Sequence, residues 1–221
     1  MNTIQITAIV IIISVFSYMI YRHYNNYILY KKNALIIDKM TSSVNNRVDA
    51  EDIINPKLGN TYTVSFWMYI DTIYTHSDYW RHVFHRGTDV EDKILNYQYW
   101  NNVTTDIPEQ NFGLWFHPNI NTIRFAITNN KNDIEHLDIE DIPSKTLVHF
   151  VIVVKNQIVS IWRDGKLFST KGLVNQPLMS IKALYFHYQY TYSGKLLKFM
   201  YVPRELNTVD IHYLYKHKPI V

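Results

Sequence analysis

The run Thr63-Val64-Ser65-Phe66-Trp67-Met68-Tyr69-Ile70 decides the fold. Val64, Phe66, Met68 and Ile70 fall on one side of an extended chain, which is the period of two of a β-strand. Short runs of the same kind follow toward the C-terminus, at 82–86, 113–117, 122–128, 147–155, 158–163, 166–170, 184–188 and 195–201. Residues 147–154 are nearly all apolar, which predicts a central strand buried on both faces. Asp164-Gly165 separates two of these runs. That dipeptide suits a two-residue hairpin, because both central residues of the turn need positive φ. In this half only 208–215 reads as a helix, with Asn207 or Thr208 placed to cap it. Many short strands with almost no helix predict an all-β, antiparallel β-sandwich over 58–221.

Upstream of that run the pattern changes. Residues 4–21 carry no charge and include Ile9-Val10-Ile11-Ile12-Ile13. Eighteen residues at ~1.5 Å each give roughly 27 Å of helix, about the thickness of a thin bilayer's hydrocarbon core. This predicts one transmembrane helix over 1–21, with Ile9, Ile12 and Phe16 in lipid and Tyr18 and Tyr21 near the interface. A cleavable leader is disfavoured: Met1-Asn2-Thr3 has no basic side chain, and residues 14–22 hold no Ala-x-Ala site. Arg22, Lys31 and Lys32 follow the span, so the positive-inside rule keeps the C-terminal domain on the cytosolic side. The sequon Asn102-Val103-Thr104 argues for the opposite side, but such a tripeptide is frequent by chance. Residues 22–57 read as a polar stalk, broken at Ser42, Ser43, Asn45 and Asn46 and closed by Pro56 and Gly59.

Composition narrows the function. The chain has 221 residues, 22 Lys plus Arg and 19 Asp plus Glu, for a net charge of +3. So small an excess gives little support for a concentrated basic face, and nucleic acid is not an expected partner. The absence of cysteine excludes disulfides, thiolate metal sites and a Cys nucleophile, and it fits a reducing compartment. Six glycines are too few for a fold built on glycine-rich nucleotide loops.

The strand 63–70 resembles the opening strand of concanavalin A-like lectin/glucanase sandwiches of the laminin-G type. Ile142-Pro143-Ser144-Lys145-Thr146-Leu147-Val148-His149-Phe150-Val151 is similar to their central strand, with Val148 where a Trp is common. Ile158-Val159-Ser160-Ile161-Trp162-Arg163-Asp164-Gly165-Lys166-Leu167 resembles their hairpin. Ser193-Gly194-Lys195-Leu196-Leu197-Lys198-Phe199 and Leu206-Asn207-Thr208-Val209-Asp210-Ile211 resemble their closing strand and the short helix after it. The resemblance implies a jelly-roll sandwich and says little of activity. An N-terminal anchor, a stalk and one such sandwich is also similar to membrane-anchored minor structural proteins of large icosahedral DNA viruses. The abundance of Ile, Asn and Tyr agrees with AT-rich coding of that kind.

Candidate chemistry is sparse. In the acidic run Asp133, Glu135, Asp138, Glu140 and Asp141, two pairs have the i, i+2 spacing that puts carboxylates on one side of a strand. The glucanase pattern is not reproduced, and the run reads as a solvated strand edge. His82 and His85, three apart, point to opposite faces of a regular strand and make a poor chelate. His149 reads as a core histidine. No cofactor is expected. Ca²⁺ is an option on this fold, with Asp71, Asp78, Asp89, Glu91, Asp92, Asp106 and Glu109 in or near loops. The aromatic segment 71–110 supplies the candidate interaction surface, namely Tyr79, Trp80, Tyr97, Tyr99 and Trp100. Tyr185, Tyr188, Tyr190 and Tyr192 form a second such group.

The expected function is a non-enzymatic, membrane-anchored structural protein. It would hold the bilayer through residues 4–21 and dock other structural proteins, such as capsid proteins, in a virion between internal membrane and capsid. The alternative is a membrane-bound lectin with a carbohydrate partner.

Overall fold

The computed structural model describes residues 3–41, 43–44, 46–57, 59–72, 79–89, 107, 109–188 and 191–220, with the backbone alone at 3–4 and 23–33. The chain divides into two compact units, Met1–Ala34 and Leu35–Val221. The first is a helix, α1 (Thr3–Asn33). Its window Gln5–Arg22 has a mean hydropathy of 1.6 and buries none of its residues. It is long and apolar enough to cross a membrane.

The second unit contains β1 (Leu35–Thr41), β2 (Asn46–Val48), β3 (Thr61–Thr72), β4 (Arg81–Gly87), β5 (Gln110–Phe116) and β6 (Thr122–Thr128). It continues through β7 (Ile134–Glu140), β8 (Leu147–Lys155), β9 (Ile158–Arg163), β10 (Lys166–Gly172), β11 (Leu184–Phe186), β12 (Ser193–Val202) and α2 (Thr208–Lys216). Two six-stranded sheets form, in the orders β1-β12-β3-β8-β9-β10 (sheet A) and β2-β11-β4-β5-β6-β7 (sheet B). Every strand pair within them is antiparallel. This is the expected sandwich.

The alternation of β3 puts Tyr62, Val64, Phe66, Met68 and Ile70 between the sheets. They meet Val148, Phe150, Ile152 and Val154 of β8 and Phe112, Leu114 and Phe116 of β5. β8 is apolar on its other side as well, because α2 covers sheet A there. Leu147 clusters with Trp67 and Leu197, against which Tyr69 and Tyr215 pack. Asn207 caps α2 by accepting from the Val209 and Asp210 amides at 2.9 and 3.0 Å, and Asp210 accepts from the Asn207 amide at 3.3 Å. Such a reciprocal cap satisfies donors that the first turn leaves open. The Asp164-Gly165 turn has φ of 50° and 75°, as a two-residue hairpin turn requires. The Asp164 carboxylate also accepts from the His149 amide at 3.0 Å and joins the hairpin to β8.

One expectation changes. Residues 35–41 and 46–48, read as stalk, are sandwich strands. β1 pairs with β12 from Leu35 opposite Tyr201 to Thr41 opposite Lys195, and β2 pairs with β11. Met40 is buried in the inter-sheet core, with Leu35, Ile37 and Val48 packed against it. An edge strand has one row of side chains in water, so its Asp and Lys do not mark a linker.

Candidate functional site

The outer face of sheet B carries an apolar cluster of its own. Trp115 of β5, Ala126 of β6 and Tyr185 of β11 meet Trp80, Ile107 and Ala183 there. Trp80 is only 5% exposed. The Arg124 guanidinium lies over its ring at 4.7 Å and the His117 ring meets it edge-on at 4.8 Å. Arg124 of β6 and Asp138 of β7 are opposed in the ladder and form a two-pronged ion pair, with both N–O distances 2.7 Å. The start of β4, the end of β5, β6 and β7 thus bring together an indole, an imidazole, a guanidinium and a carboxylate. Burial, and then the charge of Arg124, lowers the His117 pKa and keeps that imidazole neutral at neutral pH. The aromatic rings are covered, and what the arrangement presents outward is its rim of donors and acceptors, the groups by which a polar ligand is oriented.

Of the sequence-predicted surface residues, Trp80 is in this patch and Tyr79 beside it is half-buried. Tyr97, Tyr99 and Trp100 lie outside the described residues, as does Tyr74. The second aromatic group does not form one surface. Tyr185 lies on the outer face with Tyr188 packed on it, Tyr192 lies in the inter-sheet core, and Tyr190 is outside the described residues. The sequence does not single out Arg124 and His117, and it marks Asp138 only as part of a solvated edge. Their only signal is that Arg124 and Asp138 face each other once β6 and β7 are paired. On α1, Ile9, Ile12, Phe16, Tyr18 and Tyr21 are all exposed, as lipid-facing side chains would be in the chain alone.

The acidic run is edge strand β7, in agreement with the reading of a solvated edge. Two of its carboxylates, Glu135 and Asp138, are engaged. Burial would raise the Asp138 pKa, but hydrogen bonds and charge from Arg124 outweigh it and the pKa is lowered. Glu135 accepts from the amides of Val174 and Asn175 and from the Asn129 side chain at 2.9, 3.4 and 3.1 Å. Those bonds overcome burial and lower its pKa too. A glycosidase acid needs the reverse, a carboxyl kept protonated at neutral pH.

The histidines depart from expectation. A bulge between His82 and Phe84 of β4 turns His82 and His85 to the same face, and their rings meet with Nε2 and Nδ1 2.9 Å apart. Strand parity predicted opposite faces, and the bulge overrides it. His149 is buried as expected. Its Nε2 is 3.0 Å from the Ser65 hydroxyl, and its ring stacks on Trp67 at 4.7 Å. Its Nδ1 has no acidic partner and the pair is sealed under α2, so this Ser–His contact lacks the geometry of an accessible nucleophile.

For a cation, Asp71 is exposed, Glu109 is paired with Lys182 at 2.6 Å and Asp89 lies 4.0 Å from Arg47. Asp78, Glu91, Asp92 and Asp106 lie outside the described residues. Among the described residues no three acidic or histidine side chains gather as a metal site.

The family described as the concanavalin A-like lectin/glucanases superfamily matches residues 42–211. No curated protein matches the chain. Among solved structures, the receptor binding domain of botulinum neurotoxin D is similar at a TM-score of 0.58 and 12% identity, over 83% of this chain and 47% of that one. The ligand binding domain of botulinum neurotoxin serotype D, solved with N-acetylneuraminic acid, gives 0.57 and 12% over 83% and 44%. The type G receptor binding domain gives 0.52 and 10% over 83% and 44%. The chain thus spans less than half the length of these structures, and the likeness is one of fold.

Proposed function

The chain belongs to the concanavalin A-like lectin/glucanases superfamily, and from that membership we propose that it is a membrane-anchored, non-enzymatic binding module. The observation that carries the proposal is the apolar window Gln5–Arg22, wholly unburied and joined through the rest of α1 to the first strand of a recognition-type sandwich. Lipid is the medium that such a helix fits. The partner is another structural protein of the same assembly, as when a shell is held to an internal membrane. Arg22, Lys31 and Lys32 support a sandwich on the cytosolic side, where a capsid shell forms. The engagement of Glu135 and Asp138 on β7 supports binding in place of hydrolysis.

A second reading, carbohydrate recognition, draws on the patch of Trp80, His117 and Arg124 and on the structural neighbour that binds N-acetylneuraminic acid. Topology separates the two. In intact vesicles bearing the full chain with its native orientation, protease added from the cytosolic side should digest the sandwich. Protection there, with digestion from the lumenal side, overturns the tether and favours the lectin. Residues 35–221 alone should remain soluble when the full chain floats with lipid. Flotation of that piece refutes the anchor.

A further inference from the structure

His82 and His85 do nothing for the function proposed above, yet both are fully buried on the outer face of sheet B. His82 lies 4.5 Å from Trp115, and His85 stacks on Tyr185 at 5.2 Å and on Trp115 at 5.8 Å. Their hydrogen bonds assign each nitrogen a role. The Tyr188 amide can only donate, and it donates to His82 Nδ1 at 3.0 Å. A neutral His82 then carries its proton on Nε2 and donates to His85 Nδ1 at 2.9 Å. His85 in turn carries its proton on Nε2 and donates to the Thr88 carbonyl at 3.0 Å. The chain of bonds runs from Tyr188 through both rings to Thr88 in one direction, with both rings neutral.

Such a chain has no place for another proton. The two basic nitrogens, His82 Nδ1 and His85 Nδ1, are both occupied as acceptors. A proton on either sets one N–H against another, and exchanging the tautomer of His82 only moves the conflict to the Tyr188 amide. The charged groups facing the pair oppose a cation at His82, whereas at His85 Asp89 favours one but is outweighed by burial. From the end of β11, His187 acts on His82 as a like charge would. Arg47 of β2 lies over Tyr185 at 5.6 Å, beneath which His85 stacks. Asp89 after β4 is the one described carboxylate acting on His85, and Arg47 is 4.0 Å from it.

We propose that His82 and His85 form an acid-released latch, in which protonation of the pair parts the two rings, detaches the Tyr188 segment from β4 and uncovers the aromatic face of Trp115 and Tyr185, while His85 keeps its bond to the Thr88 carbonyl. The release is local, because both rings lie outside the cluster that fills the space between the sheets. Burial agrees in direction: it lowers the pKa of both rings, that of His85 to about 4.

The test uses the full chain in detergent micelles. Side-chain nitrogen NMR at pH 7.5 should find both rings neutral with the proton on Nε2, and either ring as the Nδ1–H tautomer or as imidazolium refutes the latch. Hydrogen exchange, corrected for intrinsic rates, should show protection of 81–88 and 184–188 falling at least tenfold more than that of 147–155 between pH 7.5 and 5.0. Equal falls in the three segments mean global loosening and overturn the proposal. The double variant H82Q/H85Q should lose this differential response, while H149Q should keep it. An unchanged response in H82Q/H85Q refutes the assignment to this pair.

Discussion

Cutting the chain after residue 33 and cutting it after residue 57 should have opposite results. The first cut removes α1 and leaves the unit Leu35–Val221 whole. The second also removes β1 and β2, and with them Met40 and Ile53, which are 6% and 3% exposed, and the partly buried Leu35, Ile37 and Val48. A fully buried aliphatic side chain stabilises by roughly 1.5–3 kcal/mol, so two such chains and three half-buried ones amount to about 7 kcal/mol. Domains of this size have a net stability of about 5–15 kcal/mol. The loss therefore consumes half of it or more, and it also bares the β12 edge for association. Urea unfolding followed by circular dichroism should give a cooperative transition for residues 35–221. For residues 58–221 it should give aggregation, or a midpoint that extrapolates to at least about 5 kcal/mol less. Equal midpoints for the two pieces would refute the placement of β1 and β2 in the core.

Three smaller perturbations follow from named contacts. Asn207→Ala removes both bonds to the first turn of α2 and should cost about 1 kcal/mol in urea unfolding. Gly194→Ala puts a methyl group into the Tyr69 carbonyl and against the Tyr192 ring, so it should cost at least about 2 kcal/mol; a neutral result refutes that close approach of β12 to β3. Burial lowers the His149 pKa to about 4. With ~6.5 in the unfolded chain, its neutral form contributes full stability above about pH 6.5. That contribution is lost as pH falls from 6.5 to 4, up to about 3 kcal/mol. The stability difference between wild type and H149Q should shrink by that amount between pH 7 and pH 4.

Legibility in the sequence followed the distance over which each signal acts. β3, β8 and β9 were plain because alternation and the Asp164-Gly165 turn are local properties. β8 announced burial on both sides, although what covers its outer face, Tyr215 of α2, is sixty residues downstream and came only with the fold. β1 escaped because Leu35-Ile36-Ile37-Asp38-Lys39-Met40-Thr41 directly follows a helix and carries two charges, which a solvated edge tolerates. The His82–His85 contact escaped because one bulge reverses strand parity. At the candidate site an aromatic residue could be picked out, but its partners could not. Arg124 reaches Trp80 from a strand more than forty residues away, and Asp138 meets Arg124 only through ladder register.

The junction between the two units has a mechanical consequence. α1 ends at Asn33 and β1 begins at Leu35, so Ala34 is the whole connection. One residue supplies two soft torsions and less than 4 Å of reach, which is hinge enough but no slack. Under the proposed anchoring, a tug from the bilayer would reach Leu35 undamped and be borne first by the β1–β12 ladder. The seam at the sandwich's rim would then be the fuse of the proposed tether, and under load it should part before the interior does.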